Sequence, residues 1–222
     1  FTGAWASGGS LNTARREPAP AGTQTANIQM GGSAGSKNTV ESYNGSSWTE
    51  LTEVNTGRTR AGGAGTTTAA LFFGGGTGPS DFNVSNETWN GSAWTEVSEL
   101  NTGRQYIAGA GTNTAAFSTG GQTPSVTDAV ESWNGTSWTE TTEINTARSS
   151  KAGAGTSTAM IVTGGLEPTV SGKTELWDNS SWTESGDLNT ARYGPGLSGT
   201  TAAGLAFGGF QTSPGTNLDN SE

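Results

Sequence analysis

Acid/base chemistry in this chain could rest only on carboxylates, because it holds 19 Asp+Glu, no His and no Cys. Without imidazole or thiolate, a His-dependent triad, the commonest general base and the usual zinc, haem and copper ligand sets are excluded. No metal or cofactor is expected. Hydrolysis by a carboxylate pair needs two acids at a defined separation. The stretches assigned below to innermost strands (16–21, 59–64, 105–110, 149–154 and 193–198) hold one carboxylate, Glu17. The sequence therefore predicts that the chain is not an enzyme; a glycoside hydrolase-like activity would need a second acid facing the same channel.

The elements that must position these side chains follow from a repeat. Trp5, Trp48, Trp94, Trp138 and Trp182 each stand ten residues before an Arg: Arg15, Arg58, Arg104, Arg148 and Arg192. Seven residues beyond each Arg is a Gly, and nine further a Gly pair begins, at Gly31, Gly74, Gly120, Gly164 and Gly208. Invariant spacing through 26 residues, five times over, marks one supersecondary unit copied in series. The units run over 5–47, 48–93, 94–137, 138–181 and 182–222 plus 1–4, in one domain covering 1–222. Only the stretch from Gly pair to next Trp varies, at 17, 20, 18 and 18 residues, and joining the two termini would give 19.

Within a unit, apolar residues alternate before the Gly pair (Ala69 and Leu71, Ala159 and Ile161), the period of a half-buried strand. Asn44-Gly45, Asn90-Gly91 and Asn134-Gly135 then join two further strands, since Asn and Gly tolerate positive φ in tight hairpins. With the stretch after each Arg, four strands arise per unit. The same Asn-Gly-Ser/Thr turns match glycosylation acceptors, but turn chemistry suffices to explain them. The prediction is an all-β fold: a five-bladed β-propeller of four-stranded antiparallel blades, its ring closed by pairing an N-terminal outer strand with C-terminal strands.

The pattern of apolar strand, Gly-Gly, spaced Trp and Leu-Asn-Thr-Ala/Gly-Arg resembles the kelch repeat. It reads as Leu71-Phe72-Phe73-Gly74-Gly75, Trp89, Trp94 and Leu100-Asn101-Thr102-Gly103-Arg104. The resemblance spans essentially the whole chain and implies a propeller. Arrays this rich in Gly, Thr, Ser and Asn are similar to those of phage and microbial surface proteins, which implies an extracellular or virion-surface setting.

Comparison among the copies separates frame from site. The repeated Trp, the repeated Arg and the acids Glu41, Glu87, Glu131 and Glu175 are needed by every unit. They read as scaffold, the Arg and Glu forming bidentate pairs between neighbouring sheets. In a four-stranded blade the second and fourth connections open on one face, and there the units differ. That face carries the candidate ligand or partner residues: the aromatics Phe82, Tyr106, Tyr193 and Phe210, suited to stacking on a sugar or anchoring a protein, and the cations Arg16, Arg60 and Lys151, which could line a mildly basic channel mouth.

Ten Lys+Arg against 19 Asp+Glu give a net charge of −9, which disfavours nucleic acid and anionic membranes as partners. No apolar run reaches the roughly 18 residues of a membrane span. No signal-peptide pattern stands at Phe1, and the lack of an initiator Met points to a processed chain or a fragment. The expected function is a binding or structural module for another protein or a glycan, as a virion decoration, tail or fibre component or a cell-surface adhesin, with a lectin-like propeller as the alternative.

Overall fold

The computed structural model describes residues 5–33, 37–211 and 216–222. The first blade is β1 (Ala19–Gly22), β2 (Asn27–Met30), β3 (Val40–Tyr43) and β4 (Trp48–Leu51), antiparallel and paired in chain order. The second is β5 (Gly62–Thr66), β6 (Ala69–Phe73), β7 (Asn86–Trp89) and β8 (Trp94–Val97). The third is β9 (Ala108–Gly111), β10 (Ala116–Gln122), β11 (Val126–Trp133) and β12 (Trp138–Thr141). The fourth is β13 (Ala152–Thr156), β14 (Ala159–Thr163), β17 (Thr174–Trp177) and β18 (Trp182–Glu184), with a small hairpin of β15 (Leu166–Glu167) and β16 (Thr169–Val170) inserted. The fifth repeat forms a two-stranded sheet, β19 (Gly196–Thr200) and β20 (Ala203–Phe207).

Radial packing follows from the inner strands, since β1 packs on β5, β5 on β9, β9 on β13 and β13 on β19. Gly63 and Gly109 permit this: a Cβ on either would lie 2.6 Å from a carbonyl oxygen of the preceding inner strand. The core consists of apolar layers between blades, such as Ile28, Met30 and Val40 with Phe72 and Trp94, or Phe73 with Ile107, Trp133 and Trp138. All-β antiparallel sheets in a propeller arrangement are thus what the repeat builds.

Two expectations are corrected. Among the described residues there are four four-stranded blades, not five. In the fifth repeat the third strand is reduced to a Phe207–Ser221 bridge and the reciprocal main-chain bonds of Ala206 and Glu222 (2.8 and 2.9 Å). Nor do the termini pair as strands among the described residues, and the reason lies with Trp5. Each fourth-strand Trp faces the preceding blade, as Trp94 and Trp182 do in donating from Nε1 to the carbonyls of Thr52 and Thr142. Trp5 instead lies on the forward side of the fifth sheet, its ring 5.4 Å from that of Phe207.

Candidate functional site

The repeated Arg and Glu sort as frame. Arg104 Nη2 donates to Glu131 at 2.7 Å and Arg148 Nη2 to Glu175 at 2.7 Å, all four side chains at most 1% exposed. Arg15 meets Glu41 and Arg58 meets Glu87 in the same way. Burial pulls the Arg58 guanidinium down to about 10, with Glu87 opposing the shift. Each Arg sits on the connector entering a blade and each Glu on the third strand of that same blade, which corrects the expected pairing between sheets. The carboxylate also accepts two main-chain N–H bonds from the connector, as Glu87 does from Asn55 and Thr56 (2.7 and 3.2 Å). The connector thereby ties one blade to the next. A fifth acid, Glu222, plays the same part: it accepts from Arg192, Asn189 and Thr190. Burial acts to raise its pKa, but these hydrogen bonds outweigh it and hold the carboxyl below the usual range.

The repeated Trp are frame as well. Trp48, Trp94 and Trp182 donate from Nε1 to the carbonyls of Gly9, Thr52 and Thr142. Each also packs on the aromatic that ends the third strand of its own blade, with ring centroids 5.1 to 5.5 Å apart from Tyr43–Trp48 to Trp177–Trp182.

The second and fourth connections do meet on one face. The residue after each Arg bridges to the residue after the Gly pair: Arg16 to Ser33, Thr59 to Gly76, Gln105 to Gln122, Ser149 to Leu166 and Tyr193 to Phe210. The next residue is a hub. Glu17, Arg60, Tyr106, Ser150 and Gly194 all have φ between 52° and 61°. The N–H of Arg60 donates to the Glu17 carbonyl, Tyr106 to Arg60, Ser150 to Tyr106 and Gly194 to Ser150, at 2.7 to 3.1 Å. Four left-handed non-glycine residues are a strained set, held by the blades they join. Sequence comparison could not find this hub, because a main-chain link leaves no shared residue type.

Around the hub the candidate residues fall into three groups. Arg60 is already engaged: Nε donates to Glu17 (3.0 Å), Nη1 to Gln105 (3.2 Å), and the guanidinium lies 4.7 Å from the centre of the Tyr106 ring. The single innermost carboxylate is therefore neutralised by this cation. Burial of Tyr106 raises its pKa. Lys151, expected at a channel mouth, is buried instead, donating from Nζ to the carbonyls of Thr119 (2.6 Å) and Arg148 (3.1 Å). It fills a place that Ala61 and Ile107 take in other blades. Phe82 is half-buried in a loop closed by Asp81, which accepts from the main-chain N–H and hydroxyl of Thr77 (2.8 and 2.7 Å).

In the third group Arg16 and Phe210 are open to solvent and Tyr193 is half-buried. Arg16 is exposed, with Nε donating to Ser33 at 3.3 Å. The Tyr193 and Phe210 rings stack at 5.2 Å and 25° because their residues are cross-strand bridge partners, and Phe210 is 39% exposed. On the opposite face, a shallow groove of about 500 Å³ lies between the third and fourth blades, lined by Thr114, Trp133, Asn134, Thr158 and Trp177. Its two indoles are buried, so it offers no stacking surface. In sequence comparison no protein-family model matches the chain, and no curated protein is significantly similar to it.

Proposed function

We propose that this chain is a kelch-like propeller module that performs no chemistry and binds a glycan or a protein through the face made by the second and fourth connections. In this reading all five repeats are units of one kind, and the setting is a virion or cell surface, as for a decoration, tail, fibre or adhesin component. The observation that supports it best is the Tyr193–Phe210 stack. Two flat rings ordered by strand pairing offer apolar area with little conformational entropy left to lose, which suits a sugar face or a protein anchor. The anchored Arg60–Tyr106 pair and exposed Arg16 add polar groups on the same face.

The test is binding of the whole chain to arrayed glycans and to immobilised surface proteins, compared with a Tyr193→Ala/Phe210→Ser variant. The variant should lose about tenfold or more in affinity, equivalent to about 1.4 kcal/mol, with Tm nearly unchanged. Equal binding by both chains to a ligand found this way would overturn the assignment of the face. Glycan hits alone would favour the lectin-like form of the reading, which the stacked geometry already suits.

A further inference from the structure

The stretch from Trp5 to Arg15 stands on the first blade as a fourth strand and connector stand on every following blade. Trp48 donates to the Gly9 carbonyl as Trp94 does to Thr52 (both 3.0 Å), and the Asn12 N–H meets Glu41 as the Asn55 N–H meets Glu87 (both 2.7 Å). At its other end Trp5 packs on Phe207 (5.4 Å) as Trp138 of the third blade packs on Phe73 of the second (4.9 Å). Phe73 and Phe207 hold the same place in their repeats, fifteen residues past the Arg. The stretch therefore lies in the position of an outer strand between the fifth sheet and the first blade, one place beyond a five-unit ring.

The inner part of that seam differs from every other junction. Elsewhere the second Gly of the pair donates to the next Arg carbonyl: Gly32 to Arg58, Gly75 to Arg104, Gly121 to Arg148 and Gly165 to Arg192, at 2.7 to 2.9 Å. Among the described residues Gly209 makes no such bond to Arg15, nor does the Glu17 N–H bond to Gly194 to complete the hub. Pro20 and Ser198, on the inner strands flanking the seam, are exposed.

The geometry points to this seam as a docking surface for the first three strands of one further repeat of the same kind. The argument is continuity with the four junctions already formed. All are the same head-to-tail contact, so the forward face of β19–β20 and the backward face of β1–β2 are each shaped for a blade. The hydrogen-bond demand is equally specific. The occupant's Arg carbonyl accepts from Gly209, its hub residue accepts from Glu17 and donates to Gly194, and its second Gly donates to Arg15. The stretch from Trp5 then closes the sheet as its outer strand.

The experiment extends the whole chain after Glu222 with a copy of residues 88–133, which completes the third strand of the fifth repeat, adds its outer strand and supplies the first three strands of a further repeat. A second extension carries the same 46 residues in scrambled order. The repeat extension, and not the scrambled one, should raise Tm by about 5 °C or more in a single transition and slow amide exchange at Glu17 and Gly209 by about tenfold or more. Equal behaviour of the two extensions overturns the proposal. So does slow exchange at both amides in the unextended monomer, which would mean that five units close alone, or in an unextended dimer, which would make the occupant a second copy. None of these readouts depends on the Tyr193–Phe210 face.

Discussion

Asn86 donates from Nδ2 to the carbonyl of Ser98 at 3.1 Å, the carbonyl that by position in the repeat is the acceptor for the indole of Trp138. In the other junctions that carbonyl, four residues past the previous Trp, receives the indole N–H. Here Trp138 Nε1 is buried without a partner, and so is Asn86 Oδ1. Val40 and Val130 hold the place of Asn86 in two other blades. Asn86→Val should therefore stabilise the protein by about 1 kcal/mol, since it removes one orphaned buried group and releases an acceptor for another. Urea denaturation of the two chains measures this directly.

Lys151 is a buried amine with only carbonyl acceptors, and burial, followed by the Arg148 and Arg104 charges, pushes its pKa well below the usual 10.5. Protonation is thus more costly folded than unfolded. Between the lowered folded value and 10.5 the unfolded chain binds the extra proton, so stability falls as pH falls through that window. Lys151→Met should gain about 1–3 kcal/mol at neutral pH. Its advantage over the native chain should shrink as pH is raised towards 10.5. A constant difference across paired urea titrations would show that the amine titrates normally.

Arg104→Ala strips a buried guanidinium from Glu131 and from the carbonyls of Ala129 and Gly120. An uncompensated buried carboxylate remains, and the expected cost is about 3–5 kcal/mol. Arg16→Ala, at the exposed neighbour of an equivalent Arg, should stay within about 0.5 kcal/mol. Thermal or urea unfolding of the pair tests the division between frame and face.

The hub makes a prediction of opposite sign at two equivalent positions. Ser150 pays for φ of 52°, whereas Gly194 at 61° does not. Ser150→Gly should be neutral or stabilising by up to about 1 kcal/mol, and Gly194→Ala destabilising by about 1–2 kcal/mol. Calorimetry on the two variants suffices; destabilisation by both would indicate that the Ser150 side chain carries the junction.

Much of this was legible in the residues themselves. The Trp, Arg and Gly positions located the strands, period two identified their buried sides, and the Asn-Gly pairs placed hairpin turns where Asn44 Oδ1 accepts from the Ser46 and Ser47 N–H groups. Glu222 was missed because its copy of the acid lacks the Trp that follows the others. The hub was missed because main-chain bonds ignore residue type. Lys151 misled because a cation in a variable connection reads as solvated; its alignment with Ala61 and Ile107 was the available signal. The expected strand pairing of the termini differs from what the described residues show because a 19-residue interval states a distance along the chain and not the side on which Trp5 packs.

The hub has an evolutionary corollary. Since each link from Glu17 through Gly194 is made by peptide groups, drift in the side chains there is screened for tolerance of a left-handed backbone and, at Glu17, Arg60 and Tyr106, for the side-chain contacts they share. Selection can vary the side chains at these five positions without breaking the main-chain links, and a library randomised there would keep those links.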